Sequence, residues 1–124
     1  MARVLGLGGI FFKSKDPVAL KAWYAEWLGF EGGWDKGISF QPELMPTGGY
    51  SVWSAFPSST TYFEPAAKDF MINLVIDDLD AMLARIKLSG VTVLEKIEES
   101  EYGRFGWFLD PDGNKVELWE PPER

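Results

Sequence analysis

Apolar residues recur along this chain in two rhythms, one of period two and one of helical spacing. Val4 to Phe12 is a β-leaning run interrupted by Gly6, Gly8 and Gly9, and it reads as a first strand. Asp16-Pro17 then supplies an N-cap and a proline suited to the first helical position. Leu20, Trp23, Tyr24, Trp27 and Leu28 follow helical spacing up to Gly29, which supplies the stop. Short strands are expected around Gly33–Trp34 and Ile38–Gln41. A Pro- and Gly-rich loop over Pro42–Gly49 and a strand over Tyr50–Phe56 follow. Pro57 to Lys68 is a polar and aromatic connector.

The second half repeats the order. Phe70–Ile76 is a strand, and Asp77-Asp78 opens a helix whose buried stripe is Leu79, Met82, Leu83 and Ile86, ending at Gly90. Val91–Ile97 is a strand, an acidic turn follows, and Phe105–Leu109 is the next strand. Asp110-Pro111-Asp112-Gly113 is a strong turn signal before a last strand, Lys115–Trp119, which Pro121-Pro122 ends. Helix start and stop match between the halves at a shift of about 61 residues, and Gly49–Pro57 overlays Gly113–Pro121 at about 64.

With 124 residues the chain fits one domain, and a compact fold of this size exposes about 6,700 Å². Composition removes whole classes of chemistry. There is no cysteine and no histidine, so disulfides, thiolate or imidazole metal sites, thiol nucleophiles and Ser–His–Asp triads are excluded. The net charge of −7, with no basic stripe, argues against nucleic acid and admits a cationic ligand. Aromatics make up 15% of the chain, with six Trp and nine Phe, which points to a π-lined cavity. No apolar run reaches the roughly 18 residues of a membrane span, and there is no signal-peptide pattern, so the expected location is cytoplasmic.

The two strand–helix–strand–strand–strand halves, the Asp77-Asp-Leu-Asp80 helix start and the closing Phe108-Leu-Asp-Pro-Asp-Gly-Asn-Lys-Val-Glu-Leu-Trp119 stretch resemble the vicinal oxygen chelate superfamily. This group includes the glyoxalase, bleomycin-resistance and extradiol dioxygenase proteins. The resemblance implies an α+β fold of two βαβββ modules, about residues 4–57 and 69–121, forming one curved mixed-sheet domain with a cleft. It also implies dimerisation and, in the enzymes, one divalent metal with a ligand from the first and last strand of each module. Those positions carry over near Gly9, Trp53, Met71 and Glu117, so one ligand-type side chain in four remains. The resemblance therefore implies a lost metal site: no metal ligands and no cofactor are expected.

Alternation along Lys115–Trp119 puts Val116 and Leu118 on one face and Lys115, Glu117 and Trp119 on the other. If helices cover the Val116 face, Glu117 faces the cleft beside Trp53, Trp119 and Phe108. Two readings stand for Glu117. It accepts a ligand hydrogen bond, pairs a ligand cation or acts as a general base; or it pairs with Arg104 or Lys115 as a relic. Arg104, flanked with Phe105 by Gly103 and Gly106, either clamps a ligand carboxylate or phosphate or lies in a tight turn where it is solvated or bridges Glu101. Trp34, Trp53 and Trp119 are pocket candidates. Trp23 and Trp27 read as core or dimer contacts, and Trp107 as core. Gly6, Gly8 and Gly9 lie within a strand and do not open a helix, which excludes a phosphate loop.

Three functions follow as expectations. The first is a metal-independent small-molecule binder, homodimeric, sequestering a planar or cationic compound at Trp53, Glu117, Trp119, Arg104, Trp34 and Phe108. The second is a lyase- or isomerase-type enzyme with Glu117 as base and Arg104 as oxyanion partner, or with Glu117 in an oxygen-only metal site. The third is an interaction module whose cleft is filled by its own side chains.

Overall fold

The computed structural model describes residues 1–31, 33 and 37–122. Two helices pack on one face of a four-stranded mixed sheet, open rather than closed, so the fold is α+β. Helix α1 spans Pro17–Leu28, with the Asp16 carboxylate accepting from the Ala19 N–H at 3.1 Å. Helix α2 spans Leu79–Leu88, and its Asp78 cap accepts from Ala81 N–H at 3.0 Å. The strands are β1 (Ile72–Val75), β2 (Glu98–Ser100), β3 (Gly103–Leu109) and β4 (Lys115–Glu120). Their spatial order is β1-β4-β3-β2, with β4 parallel to β1 and antiparallel to β3. No helix among the described residues is long and apolar enough to cross a membrane.

The core lies between the sheet and the helices. Leu20, Tyr24 and Leu28 of α1 and Leu79, Leu83 and Ile86 of α2 cover Ile72, Phe108, Val116 and Leu118. Each fully buried aliphatic or aromatic side chain contributes about 1.5–3 kcal/mol. Gly106 lets α2 settle on β3: a Cβ there would meet the Leu83 and Leu79 methyls at 3.0 and 3.2 Å. Trp23 and Trp27 pack against the same core, as their helical spacing led one to expect.

The β3–β4 turn is a hub. The Asp110 carboxylate accepts from the Asp112 and Asn114 backbone N–H groups and from Asn114 Nδ2, each at 2.9 Å. Gly113 takes the positive φ of 80° that closes the turn. Tyr24 of α1 donates its hydroxyl to Asp110 at 2.9 Å, and Ser14 donates to Asp112 at 2.5 Å. Helix α1 is thereby bolted to a turn 86 residues away.

The second half forms its strands close to where the periodicity predicts them, with one shift. Val91–Ile97 contributes a single bridge, Val93 to Phe108, while Glu98–Ser100, expected as an acidic turn, pairs with β3. Carboxylates tolerate that edge because their side chains stay in water. The first half differs more. Val4–Phe12, Ile38–Gln41 and Tyr50–Phe56, expected as strands, run without ladder hydrogen bonds, and Gly33–Trp34 falls partly outside the described residues. A strand needs a neighbouring edge to pair with, and among the described residues these segments pair with none. Their apolar side chains are left in solvent, Val4 at 89% and Phe11 at 98% exposed. The whole chain exposes 9102 Å², about 2,400 Å² beyond a compact monomer of this mass.

Burial and the neighbouring Asp110 push the Tyr24 phenol above its ordinary value of 10.0. A proton held more tightly in the fold than in the unfolded chain stabilises the fold below pH 10.0, and that stability is lost as pH rises beyond it. Tyr24→Phe is expected to cost about 1.5–3 kcal/mol at neutral pH in denaturant titration, the range for a hydrogen bond to a charged group. Alkaline destabilisation above pH 10 should be shallower in the variant than in the parent.

Candidate functional site

Pairing across the hairpin decides which side chains share a face. Leu109 opposes Lys115, so counting back from the turn places Trp107 opposite Glu117 and Phe105 opposite Trp119. In the parallel pair, Asn73 opposes Glu117. Lys115, Glu117, Trp119, Trp107, Phe105 and Asn73 therefore line the sheet face away from the helices.

Glu117, 8% exposed, is the centre of that face. Its Oε1 accepts from Asn73 Nδ2 at 2.7 Å, and its Oε2 accepts from Trp107 Nε1 at 3.0 Å and from the Tyr62 hydroxyl. A carboxylate taken out of water needs such donors to offset lost hydration. Tyr62 arrives from the 57–68 connector. Its ring stacks on Phe56 at 5.7 Å and stands perpendicular to Trp107 at 6.3 Å. Burial and the hydrogen bond to Glu117 raise the Tyr62 phenol well above its ordinary value.

The Lys115 ammonium donates to the Tyr62 carbonyl at 2.5 Å and lies 5.0 Å from the centre of the Tyr62 ring and 5.6 Å from that of Trp107. Burial pushes it below its ordinary value, with Glu117 and Glu98 opposing the shift. Trp119 stacks parallel to Phe105 at 6.2 Å, and its indole N–H goes to the Tyr102 carbonyl at 2.7 Å. Tyr50 meets it edge-on at 4.9 Å.

The six site candidates separate sharply. Glu117 and Trp119 share the sheet face away from the helices. Phe108 does not: it is fully buried under the helices, 5.7 Å from Trp23. Arg104 has the same parity as Phe108 and leans to the helix side, where it makes a bidentate pair with Asp80 at 3.0 and 3.1 Å and reaches Glu99 at 3.1 Å. That pair lowers the Asp80 carboxyl and raises the Arg104 guanidinium relative to their ordinary values. Arg104 and Glu117 thus stand on opposite faces and cannot flank one substrate as oxyanion partner and base. Trp53, expected beside Glu117, is 80% exposed, because its segment has no ladder to carry it to the cleft. Trp34 lies outside the described residues.

Three residues of the site escaped the sequence reading. Trp107, which its alternation with Phe105 and Leu109 predicts as core, stands opposite Glu117 because the Asp110–Asn114 turn sets the register. Asn73, rather than Met71, is the β1 residue beside Glu117, and a lone amide in an apolar strand was the available signal. Tyr62 sits in a segment without periodicity, where no local pattern marks it. Among the described residues, no three carboxylates converge on a common point.

A family model described as a glyoxalase-like domain matches residues 9–119. TnmS3, an antibiotic-binding protein from Streptomyces sp. CB03234, is similar at 28% identity over 87% of this chain and 88% of that one, with a TM-score of 0.51. A member of the glyoxalase/bleomycin resistance protein/dioxygenase superfamily from Sphaerobacter thermophilus DSM 20745 is also 28% identical, covering 86% and 90%, at a TM-score of 0.53. A glyoxalase/dioxygenase from Nostoc punctiforme shares the fold over 99% of both chains, at 19% identity and a TM-score of 0.53. No curated protein matches the chain.

Glu117→Gln replaces one acceptor oxygen with an amide that must face a donor. The variant is expected to lose about 1–3 kcal/mol of stability and to move the Trp107 indole N–H resonance, as read by denaturant titration and NMR.

Proposed function

Because this chain belongs to the glyoxalase-like domain family of the vicinal oxygen chelate superfamily, we propose that it binds a small planar or cationic molecule at the Glu117 face without a metal. The observation that carries this reading is the donor set around Glu117. Both oxygens are engaged by neutral N–H and O–H donors from Asn73, Trp107 and Tyr62, in an aromatic setting. A divalent cation needs several convergent oxygen or nitrogen acceptors, and these neighbours aim hydrogens at the place where a cation would sit. The side chains present do not fit such an ion. They fit a molecule held by hydrogen bonding and ring contact. TnmS3, described as antibiotic-binding, lends support as a relative with that kind of role.

The same reading includes a homodimer. Residues 4–12 and 50–56, both in the first module, carry apolar side chains and no ladder pairing, and a second copy supplies the sheet edge they lack. The surplus exposed area of about 2,400 Å² per chain suits an extensive interface rather than a transient one. Trp53, at the middle of the Gly49–Pro57 stretch that overlays Gly113–Pro121, is then carried toward the Glu117 face.

Screening planar and cationic aromatic compounds by tryptophan fluorescence is expected to give saturable binding that is unchanged in EDTA. Glu117→Gln should weaken it about tenfold, the equivalent of one charge-assisted hydrogen bond. Binding that vanishes with chelator would overturn the metal-free reading. Sedimentation velocity should give twice the monomer mass at micromolar concentration, and a monomer would overturn the dimer.

A further inference from the structure

The strongest unexplained feature of the Glu117 face is that its principal occupant belongs to the protein. Tyr62 is half-buried, while the acceptor and indole behind it are nearly closed to solvent, Glu117 at 8% and Trp107 at 3% exposed. The segment carrying Tyr62 is outside the sheet and is held by short-range turns, Thr60 N–H to Pro57 O at 3.0 Å and Glu64 N–H to Thr61 O at 3.1 Å. Across the chain it is anchored by the Tyr62 hydroxyl on Glu117 and by the Lys115 ammonium on the Tyr62 carbonyl. A segment with few long-range bonds lifts more readily than a strand of the ladder.

The surroundings of the Tyr62 ring are those of a ligand site. Phe56 stacks on it at 5.7 Å and 12°, Trp107 meets it at 90°, the Lys115 ammonium sits 5.0 Å from its centre, and Glu117 accepts a hydrogen bond from its hydroxyl. We propose that Tyr62 is a tethered occupant of the binding site, and that the external ligand is a neutral aromatic ring bearing a hydroxyl group, which displaces Tyr62 and donates to Glu117 in its place. This rests on the small-molecule-binding reading above and narrows it. The Lys115 ammonium against the ring repels a cationic ligand and attracts an electron-rich one, so planar and phenolic prevails over cationic. Glu117 accepts and does not donate, so a ring without a hydroxyl would leave Oε2 short of one partner. A tethered competitor acts at an effective concentration in the millimolar range, which weakens external binding without abolishing it.

The test uses p-cresol, the free tyrosine side chain, with toluene as the same shape lacking the hydroxyl. Titration calorimetry on the full chain should show p-cresol binding Tyr62→Ala at least about tenfold more tightly than the parent, and toluene binding the variant at least about tenfold more weakly than p-cresol. Equal p-cresol affinity for parent and variant would overturn the tethered occupant. Toluene binding as tightly as p-cresol would overturn recognition of the hydroxyl. If Tyr62→Ala does not fold, the parent decides: p-cresol should shift the Trp107 indole N–H resonance saturably while toluene leaves it in place. No p-cresol-specific shift would overturn the proposal. Should p-cresol fail on both counts while other planar or cationic compounds still bind in EDTA, the binding reading stands and only the phenolic ligand falls.

Discussion

The Asp110 carboxylate holds the turn on which the sheet depends. It gathers two backbone N–H groups and the Asn114 amide within five residues, and the Tyr24 hydroxyl from far away. Those bonds fix where β3 ends and β4 begins. Since side chains alternate with period two, a slip of one residue would exchange the two faces of β3. The register puts Phe108 into the core and Trp107 against Glu117. The turn that aligns the hairpin also docks α1, so core packing and the composition of the opposite sheet face are set by one cluster of polar contacts.

Two physically different environments result from that alternation. On the helix face, Phe108, Val116 and Leu118 are fully buried, and their burial supplies cohesion. On the opposite face, charge is buried as well, with Glu117 and Lys115 two residues apart on β4. Neither has the other as its direct partner. Glu117 is satisfied by neutral donors and Lys115 by a carbonyl and two ring faces. Removing one partner from such a network leaves a buried polar group unpaired, which costs more than the mean worth of a hydrogen bond. The face is thus held by directional hydrogen bonds rather than by apolar burial alone.

The halves of the chain repeat in order and yet differ in outcome. The second half forms its own open sheet because β4 inserts between β1 and β3. The first half has the helix and the punctuation but leaves Val4, Phe11, Val52 and Trp53 in solvent. Strand propensity expresses itself only when an edge is within reach, and a run rich in Val, Ile and Phe is not a strand until something pairs with it. Local pattern carries the same information in both halves; the pairing partner is what differs.

Much was legible from residues alone. The Asp16 and Asp78 caps, the helical stripes, the Asp110–Gly113 turn, the inward Val116 and Leu118, and Glu117 on the opposite sheet face all follow from short-range rules, because caps, periodicity and tight turns involve neighbours within a few positions. Phe108 and Trp107 stand on the faces opposite to those expected because parity has meaning only once a register is set, and register is a property of two strands together. Asn73 and Tyr62 reach Glu117 from 44 and 55 residues away. No pattern inside the connector encodes that encounter; it exists because the sheet buries a carboxylate that must find donors, and the folded chain brings those donors to it.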